Sequence, residues 1–388
     1  MNQIFYILKG ERVKMKKVLA MLLVLAMAMT AMVGCSSNNG GSEAADMKVA
    51  MVTDYGDITD QSFNQTTYEA CKAWAEANGV EFTYFKPQTN SDEDRVSMIE
   101  SAIDQGYNVV VMPGFAFAKA IEATATTYPD VTFIALDVSA GDFSAGYELP
   151  SNLYSAVYQE ELCGYMAGYA AVKLGYTKLG FLGGIAVPAV VRYGYGFVQG
   201  CDAAAAELGL TDVEVKYAYG GQFYGDADIT AAMDTWYQAG TQVVFACGGG
   251  IYSSAAEAAQ KVEGGKVIGV DVDQAASIDS QYGEGMTVTS AMKGLAATVN
   301  TMLTVVKEGK FAEYGGKIDN LGLVSDNPEE NYVQIAPSTQ FSDSFTQEDY
   351  AALVKAMHAG TVTVDNDITK AAADFATVIN VIDQGNIK

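Results

Sequence analysis

From residue 48 onward the chain alternates short apolar runs with longer stretches of helical periodicity. The runs 109–111 and 243–245 are apolar at every position, which is typical of parallel strands covered by helices on both faces. The pattern predicts strands at 48–53, 80–85, 108–112, 132–136, 178–182, 214–219, 243–246, 266–270 and 286–290. It predicts helices between them, for example at 62–78, 92–105, 156–174, 227–239, 253–262 and 295–307. This alternation predicts a doubly wound α/β fold.

The predicted elements form two series, which indicates two lobes. The irregular stretch 139–152, which contains two glycines and a proline, is a candidate crossover between the series. The predicted lobes are 48–152 with about 291–313, and 153–290 with about 314–388. Because ligands of such folds bind at the carboxyl ends of the strands, we expect a binding cleft between the lobes, with its residues directly after strands.

The N-terminal segment has the features of a bacterial lipoprotein signal. Lys16 and Lys17 precede an uncharged run that ends with small residues before Cys35, and a Ser/Asn/Gly stretch follows. We therefore expect residues 1–34 to be a removed signal peptide and 35–47 to be a lipidated cysteine with a flexible tether. An uncleaved anchor helix is the alternative, and a better signal begins at residue 15, which makes 1–14 a candidate start-site artefact.

Composition narrows the classes of function. The chain has 23 basic and 47 acidic residues and a net charge of −24, which argues against nucleic-acid binding and favours a small neutral or weakly charged ligand. A single histidine, His358, disfavours Ser-His-Asp catalysis and a His-rich metal site. Cys71, Cys163, Cys201 and Cys247 are widely spaced, which favours buried free thiols over disulfides or a zinc site.

The loop after the first predicted strand carries candidate binding residues. Asp54 lies at the mouth of the predicted sheet, where a carboxylate is costly unless it is solvated or paired. Asp60 or Ser62 can cap the helix that follows. Phe63 lies in the first turn of that helix and faces the expected cleft, with a place in the core as the alternative.

Two features of the second series also point to the cleft. The glycines at 248–250 allow backbone N–H groups to approach a ligand, although a plain tight turn is an alternative. No Gly-Lys-Ser/Thr follows them, so they do not form a triphosphate-binding loop. Asp271 and Lys293 follow neighbouring strands, where a carboxylate and an ammonium can bind vicinal hydroxyls. A salt bridge that closes the sheet edge is the alternative.

Four motifs occur in order along the chain: Asp54 with Asp60-Gln61-Ser62-Phe63-Asn64-Gln65, Gly248-Gly249-Gly250, Ile268-Gly269-Val270-Asp271-Val272-Asp273-Gln274, and Thr289-Ser290-Ala291-Met292-Lys293. With this combination the chain resembles the basic membrane protein family of ABC-transporter lipoproteins, over residues 47 to about 335. The resemblance implies a type I periplasmic-binding fold, with two doubly wound lobes joined by a hinge. The ligand-binding residues that it implies are Asp54, Phe63, Asn64, Phe223, Gly248, Asp271 and Lys293.

The resemblance also implies a role for these residues around a purine nucleoside. Phe63 would be one ring stacked on the base, and Phe223 the other, with Tyr219 as a rival. Asp54 would bond the edge of the base. Asp271 and Lys293 would hold the ribose hydroxyls. An ionised Asp54 that accepts two N–H donors would favour guanine or hypoxanthine over adenine.

We therefore expect a lipid-anchored, extracytoplasmic protein that binds guanosine, inosine or adenosine for uptake by an ABC permease. We expect no enzyme activity, cofactor, metal or nucleic-acid partner. The alternatives are the same fold with a sugar or small signalling ligand, a surface nucleoside hydrolase, and a repressor-like sensor. The single histidine disfavours the hydrolase, and the negative charge and the lack of a DNA-binding module before residue 48 disfavour the sensor.

Overall fold

The computed structural model describes residues 46–388, so the predicted signal segment and Cys35 lie outside the described residues. Six strands form the first sheet: β1 Lys48–Val52, β2 Glu81–Phe85, β3 Val109–Pro113, β4 Thr132–Leu136, β5 Leu153–Tyr158 and β11 Lys317–Leu321. Their order is β11-β5-β4-β3-β1-β2, and all neighbours are parallel. Both faces of β3 are buried, as predicted for a strand between two layers of helices.

A second sheet contains seven strands: β6 Lys178–Gly183, β7 Glu214–Tyr219, β8 Val243–Cys247, β9 Lys266–Asp271, β10 Thr287–Lys293, β12 Val333–Ile335 and β13 Asn380–Asn386. Their order is β12-β10-β9-β8-β6-β7-β13, and every pairing is parallel except that of β10 with β12. The two sheets confirm the predicted α/β fold with two parallel-sheet lobes.

The α-helices lie between the strands in the chain. They are α1 Phe63–Asn78, α2 Asp92–Asp104, α3 Ala118–Thr124, α4 Glu160–Lys173, α5 Pro188–Leu208, α6 Ala227–Gln238, α7 Tyr252–Ala259, α8 Ala275–Tyr282, α9 Leu295–Lys307 and α10 Gln347–His358. Glycines allow α4 and α5 to pack with their backbones in contact: a Cβ atom on Gly200 would lie 2.0 Å from the carbonyl oxygen of Tyr165. Within residues 46–388 the helices include none with the length and apolarity of a membrane span.

The structure corrects the predicted boundary between the lobes. The stretch 139–152 joins β4 to β5 within the first sheet, so it is not a crossover. Residues 153–158 and 317–321, which we assigned to the C-terminal lobe, are strands of the first sheet. The predicted helix at 156–174 begins instead at Glu160, because the apolar run continues through the end of β5 without a glycine or proline to mark the change.

Three connections cross between the lobes, at Gln159, at Gly294 and over 322–332. Hydrogen bonds join them to one another: Gln159 N–H donates to Leu321 O at 3.0 Å, and Gly294 N–H donates to Tyr332 O at 2.7 Å. The three crossovers therefore form one hinge, and the residues on either side of it come from both lobes.

The prediction about the cysteines is confirmed. The cysteines predicted as free thiols are buried and unbridged: Cys71, Cys163, Cys201 and Cys247. His358 is the last residue of the C-terminal helix α10, where its Nδ1 lies 2.8 Å from Asp326 Oδ1.

Candidate functional site

A cavity of about 410 Å³ lies where the carboxyl ends of the two sheets meet. Its walls include every ligand-binding residue that the sequence predicts: Asp54, Phe63, Asn64, Phe223, Gly248, Asp271 and Lys293. They come from both lobes, and each lies at or just after a strand, or in the first turn of the helix that follows the strand. Tyr219, the rival for the second ring, does not line the cavity, because its hydroxyl turns to Tyr217 at 2.9 Å.

The loop after β1 is organised by Asp60. Its carboxylate accepts from the backbone N–H groups of Ser62, Asn64 and Gln65 at 2.9 to 3.0 Å, and so caps α1. The Ser62 hydroxyl is thereby left to donate across the cleft to Asp271 Oδ2 at 2.6 Å. Of the two caps considered from the sequence, Asp60 is the one whose side chain bonds the helix N-terminus.

Asp54 and Asn64 lie together on one side of the cavity. Asp54 Oδ1 accepts from the N–H groups of Tyr55 and Gly56 and from Asn64 Nδ2 at 2.5 to 3.1 Å. The same amide donates to Asp60 Oδ2 at 3.1 Å. Because both partners are carboxylates, the amide must direct its nitrogen to them, which leaves Asn64 Oδ1 buried without a partner among the described residues.

Burial raises the pKa of Asp54 above its ordinary value, while its three donors oppose that rise. A ligand with N–H or O–H donors would satisfy the acceptors at this wall and favour the ionised carboxylate.

Two phenyl rings belong to the cavity, one from each lobe. Phe63 is half-buried, so it serves both the cavity wall and the core behind it. Phe223 lies over glycines: a Cβ atom on Gly184 would lie 2.3 Å from its ring, and one on Gly248 would lie 2.9 Å from it. The glycines at 248–250 line the cavity, and the missing side chains of Gly184 and Gly248 leave the space that the Phe223 ring occupies.

A buried ion-pair cluster, which the sequence did not predict, lies at the hinge. Lys293 Nζ pairs with Asp137 Oδ2 and, at 3.1 Å, with Glu160 Oε1. Arg192 Nε pairs with the other oxygen of Glu160 at 2.7 Å. Lys293 directly precedes the crossover at Gly294, and Glu160 directly follows the one at Gln159. The salt bridge considered between Asp271 and Lys293 is not among the ion pairs of residues 46–388.

The cluster sets the charge states of its members. Burial lowers the pKa of Lys293, but the carboxylates of Asp137, Glu160 and Asp271 outweigh that effect and raise it above the usual value. Burial raises the pKa of Asp271, and Lys293 and the Ser62 hydroxyl oppose the rise. The raised pKa favours the charged form of Lys293, whose ion-pair partners are the carboxylates of Asp137 and Glu160.

Asp137 could have been found by the same rule as Asp54 and Asp271. It is the residue after β4, it lines the cavity, and like Asp271 it has a positive φ, 60° against 66°. The pairings themselves carry no sequence signal, because Glu160 in α4 meets Lys293, and Arg192 in α5 meets Glu160, only in the folded chain.

Comparisons with known proteins agree with this architecture. The sequence model of a family described as "ABC transporter substrate-binding protein PnrA-like" matches residues 47–364. The chain is 30% identical over 328 residues to the ABC transporter nucleoside-binding protein BmpA of Lactococcus lactis, covering 79% of this chain and 89% of that protein. It is 27% identical over 310 residues to basic membrane protein A of Borreliella burgdorferi, covering 78% and 84% respectively.

The fold also resembles solved structures. A solute-binding protein of an ABC transporter system from Aeropyrum pernix superposes with a TM-score of 0.63 at 22% identity, covering 85% of this chain and 90% of that one. This likeness is one of fold.

Proposed function

Because this chain belongs to the PnrA-like family of ABC transporter substrate-binding proteins, we propose that its cavity binds a purine nucleoside for uptake. The observation that carries the proposal is the convergence of two phenyl rings and several carboxylates from both lobes on one cavity. The relative from Lactococcus lactis is named as a nucleoside-binding protein, which supports the same ligand class.

The base would lie between Phe63 and Phe223. Stacking on aromatic rings contributes about 1 to 3 kcal/mol per base and accepts any purine. Discrimination between purines would come from Asp54 and Asn64, whose free atoms are acceptors. Guanine and hypoxanthine offer an N1–H donor, whereas adenine has an acceptor at that position, so the acceptor wall favours guanosine and inosine.

The ribose would lie towards the hinge. Asp271 and Asp137 can accept from its hydroxyls, and Lys293 can donate to them. At this end of the cavity there are three carboxylates, of Asp137, Glu160 and Asp271, and two cations, Lys293 and Arg192. A phosphate group would meet this excess of negative charge, which favours nucleosides over nucleotides.

We expect calorimetry on the purified protein to show one-to-one binding, with guanosine and inosine tighter than adenosine. Phe223→Ala should weaken guanosine binding by about tenfold or more, because it removes one stacking ring. Tyr219→Phe is the matched control: its hydroxyl points away from the cavity, so affinity should not change. A protein that binds none of the three nucleosides would contradict the ligand assignment.

We also propose that Cys35 carries a lipid that holds the protein at the outer face of the cell membrane, beside an ABC permease. The support is the signal-like sequence before Cys35 and the membership of a transporter family. Anchoring would shorten the diffusion path from receptor to permease.

Cys35→Ala should release the protein from the membrane fraction and impair nucleoside uptake by cells. Its affinity for guanosine should equal that of the wild type, because the ligand site begins only at Asp54. Cys71→Ala, at a buried thiol, is the control that keeps the protein at the membrane. Intact-mass measurement of the membrane form tests the lipid directly, and an unmodified Cys35 would disprove the anchor.

A further inference from the structure

The C-terminal segment 365–388 lies beyond the residues matched by the family, 47–364, yet it is part of the second sheet. Its strand β13 pairs in parallel with β7, from Asn380 opposite Glu214 to Asn386 opposite Tyr219. Gln384 adds a side-chain contact, accepting from Trp236 Nε1 at 2.7 Å. The segment therefore runs along β7 towards the loop that follows it.

That loop, 220–226, carries Phe223, and residues 387–388 contact the chain both before and after Phe223. Ile387 N–H donates to Tyr219 O at 2.8 Å, directly before the loop. A Cβ atom on Gly221 would lie 3.5 Å from Lys388 Cβ, and Lys388 Nζ pairs with Asp226 Oδ2 at the end of the loop.

Asp226 connects this contact to the ring. Its Oδ1 caps α6 through the N–H groups of Asp228 and Ile229 at 3.0 Å, so its position is fixed by the helix. Its Oδ2 accepts from Gln222 Nε2 at 2.8 Å, and the same nitrogen donates to Tyr224 O at 3.0 Å. The residues on either side of Phe223 are thus joined to the carboxylate that Lys388 neutralises.

We propose that Lys388 is a positioning residue for Phe223, and that the C-terminal strand thereby sets the affinity of the cavity. The inference rests on the proposed stacking role of Phe223. Lys388 pairs with Asp226 at the end of the loop, and its Cβ atom lies beside Gly221 near the start. It thus links the two ends of the loop and keeps Phe223 packed against Gly184 and Gly248. Without that cation the loop samples other conformations, and the ring is less often in place when a ligand arrives.

The test compares substitutions at the end of the chain. Lys388→Ala should weaken guanosine binding by about threefold, since an exposed ion pair contributes little by itself. Lys388→Glu should weaken guanosine binding by about tenfold, because it adds repulsion from Asp226. Lys388→Arg keeps the positive charge and should retain the wild-type affinity. The matched control is Lys370→Ala, which removes an exposed pair with Asp365 elsewhere in the same segment and should leave affinity unchanged.

Hydrogen–deuterium exchange separates a failure of this inference from a failure of the proposed ligand. In the ligand-free protein, backbone amides of 220–226 should exchange faster in Lys388→Glu than in Lys370→Ala, while those of β8 and β9 should not change. If the wild type binds no nucleoside but this difference is present, the positioning role stands and the ligand assignment fails. Wild-type affinity and wild-type exchange in Lys388→Glu would overturn the inference.

Discussion

Replacing Lys293 with methionine is expected to lower the free energy of unfolding of the ligand-free protein by about 3 to 5 kcal/mol, because it leaves buried carboxylates without their cation. Lys293 is 6% exposed and pairs with both Asp137 and Glu160. Arg192 would still compensate Glu160 and the Ser62 hydroxyl would still donate to Asp271, so Asp137 is the carboxylate that loses its ion-pair partner. Urea unfolding at pH 7 measures the loss.

A double variant separates the ion pair from the packing of the side chain. Asp137→Asn in the Lys293→Met background should recover part of the loss, since it removes the uncompensated charge. Lys355→Met is the control, because that lysine is exposed and lies 3.8 Å from Asp326. It should change stability by less than about 1 kcal/mol. A loss of similar size in both lysine variants would contradict the role assigned to the cluster.

Glu161→Gln is expected to make the protein more stable at pH 8 and to leave it unchanged near pH 4.5. Glu161 is 3% exposed, and burial raises its pKa from 4.5 to about 7. Its Oε2 lies 4.0 Å from Arg192 Nε and accepts no hydrogen bond from any residue in 46–388. The ionised carboxylate is therefore poorly compensated in the folded state.

The direction of the pH dependence follows from proton binding. Between pH 4.5 and about 7 the folded protein retains a proton on Glu161 that the unfolded chain has released. The free energy of unfolding therefore falls as the pH rises through this window and levels off above it. The fall attributable to Glu161 is about 3 kcal/mol for this shift.

Glutamine at this position does not titrate. The free energy of unfolding of the variant should therefore lack the decrease with rising pH that is due to Glu161. Urea unfolding of wild type and variant at pH 5, 6, 7 and 8 should give curves that diverge with rising pH. Glu263→Gln, at an exposed position, should follow the wild type throughout. Parallel curves for Glu161→Gln and wild type would show that Glu161 does not titrate in this window.

Much of the fold could be predicted because its signals are local. The local sequence marks the boundaries of strands that are apolar on both faces and of helices that are followed closely by glycines. The helices Phe63–Asn78 and Leu295–Lys307 are examples. The errors occur where no local signal exists. β5 continues into α4 with only Gln159 between them, and β11 is a half-exposed edge strand with polar positions.

The two-residue periodicity of a strand separates Phe223 from Tyr219 as the second ring of the cavity. Side chains two residues apart in a strand share a face, so Tyr219 follows Tyr217 into the core, where it also meets Phe181 edge to face. Phe223 follows the strand in a loop and is free to turn to the cavity. Period-two alternation along β7 was the signal that distinguished them.

The sequence by itself determined which loops carry the site. In a parallel α/β sheet the carboxyl ends of all strands lie at one edge, so a residue's position relative to its own strand places Asp54, Asp271 and Lys293 there. Only the tertiary structure decided what those groups meet. Lys293 pairs with Asp137 from another strand and with Glu160 beyond a crossover, and Lys388 reaches Asp226 from the end of the chain. These partners are distant in sequence, and charge alone does not select among the many carboxylates of so acidic a chain. The pairing of Lys293 depends on the packing of the lobes around the hinge, and that of Lys388 on the pairing of β13 with β7.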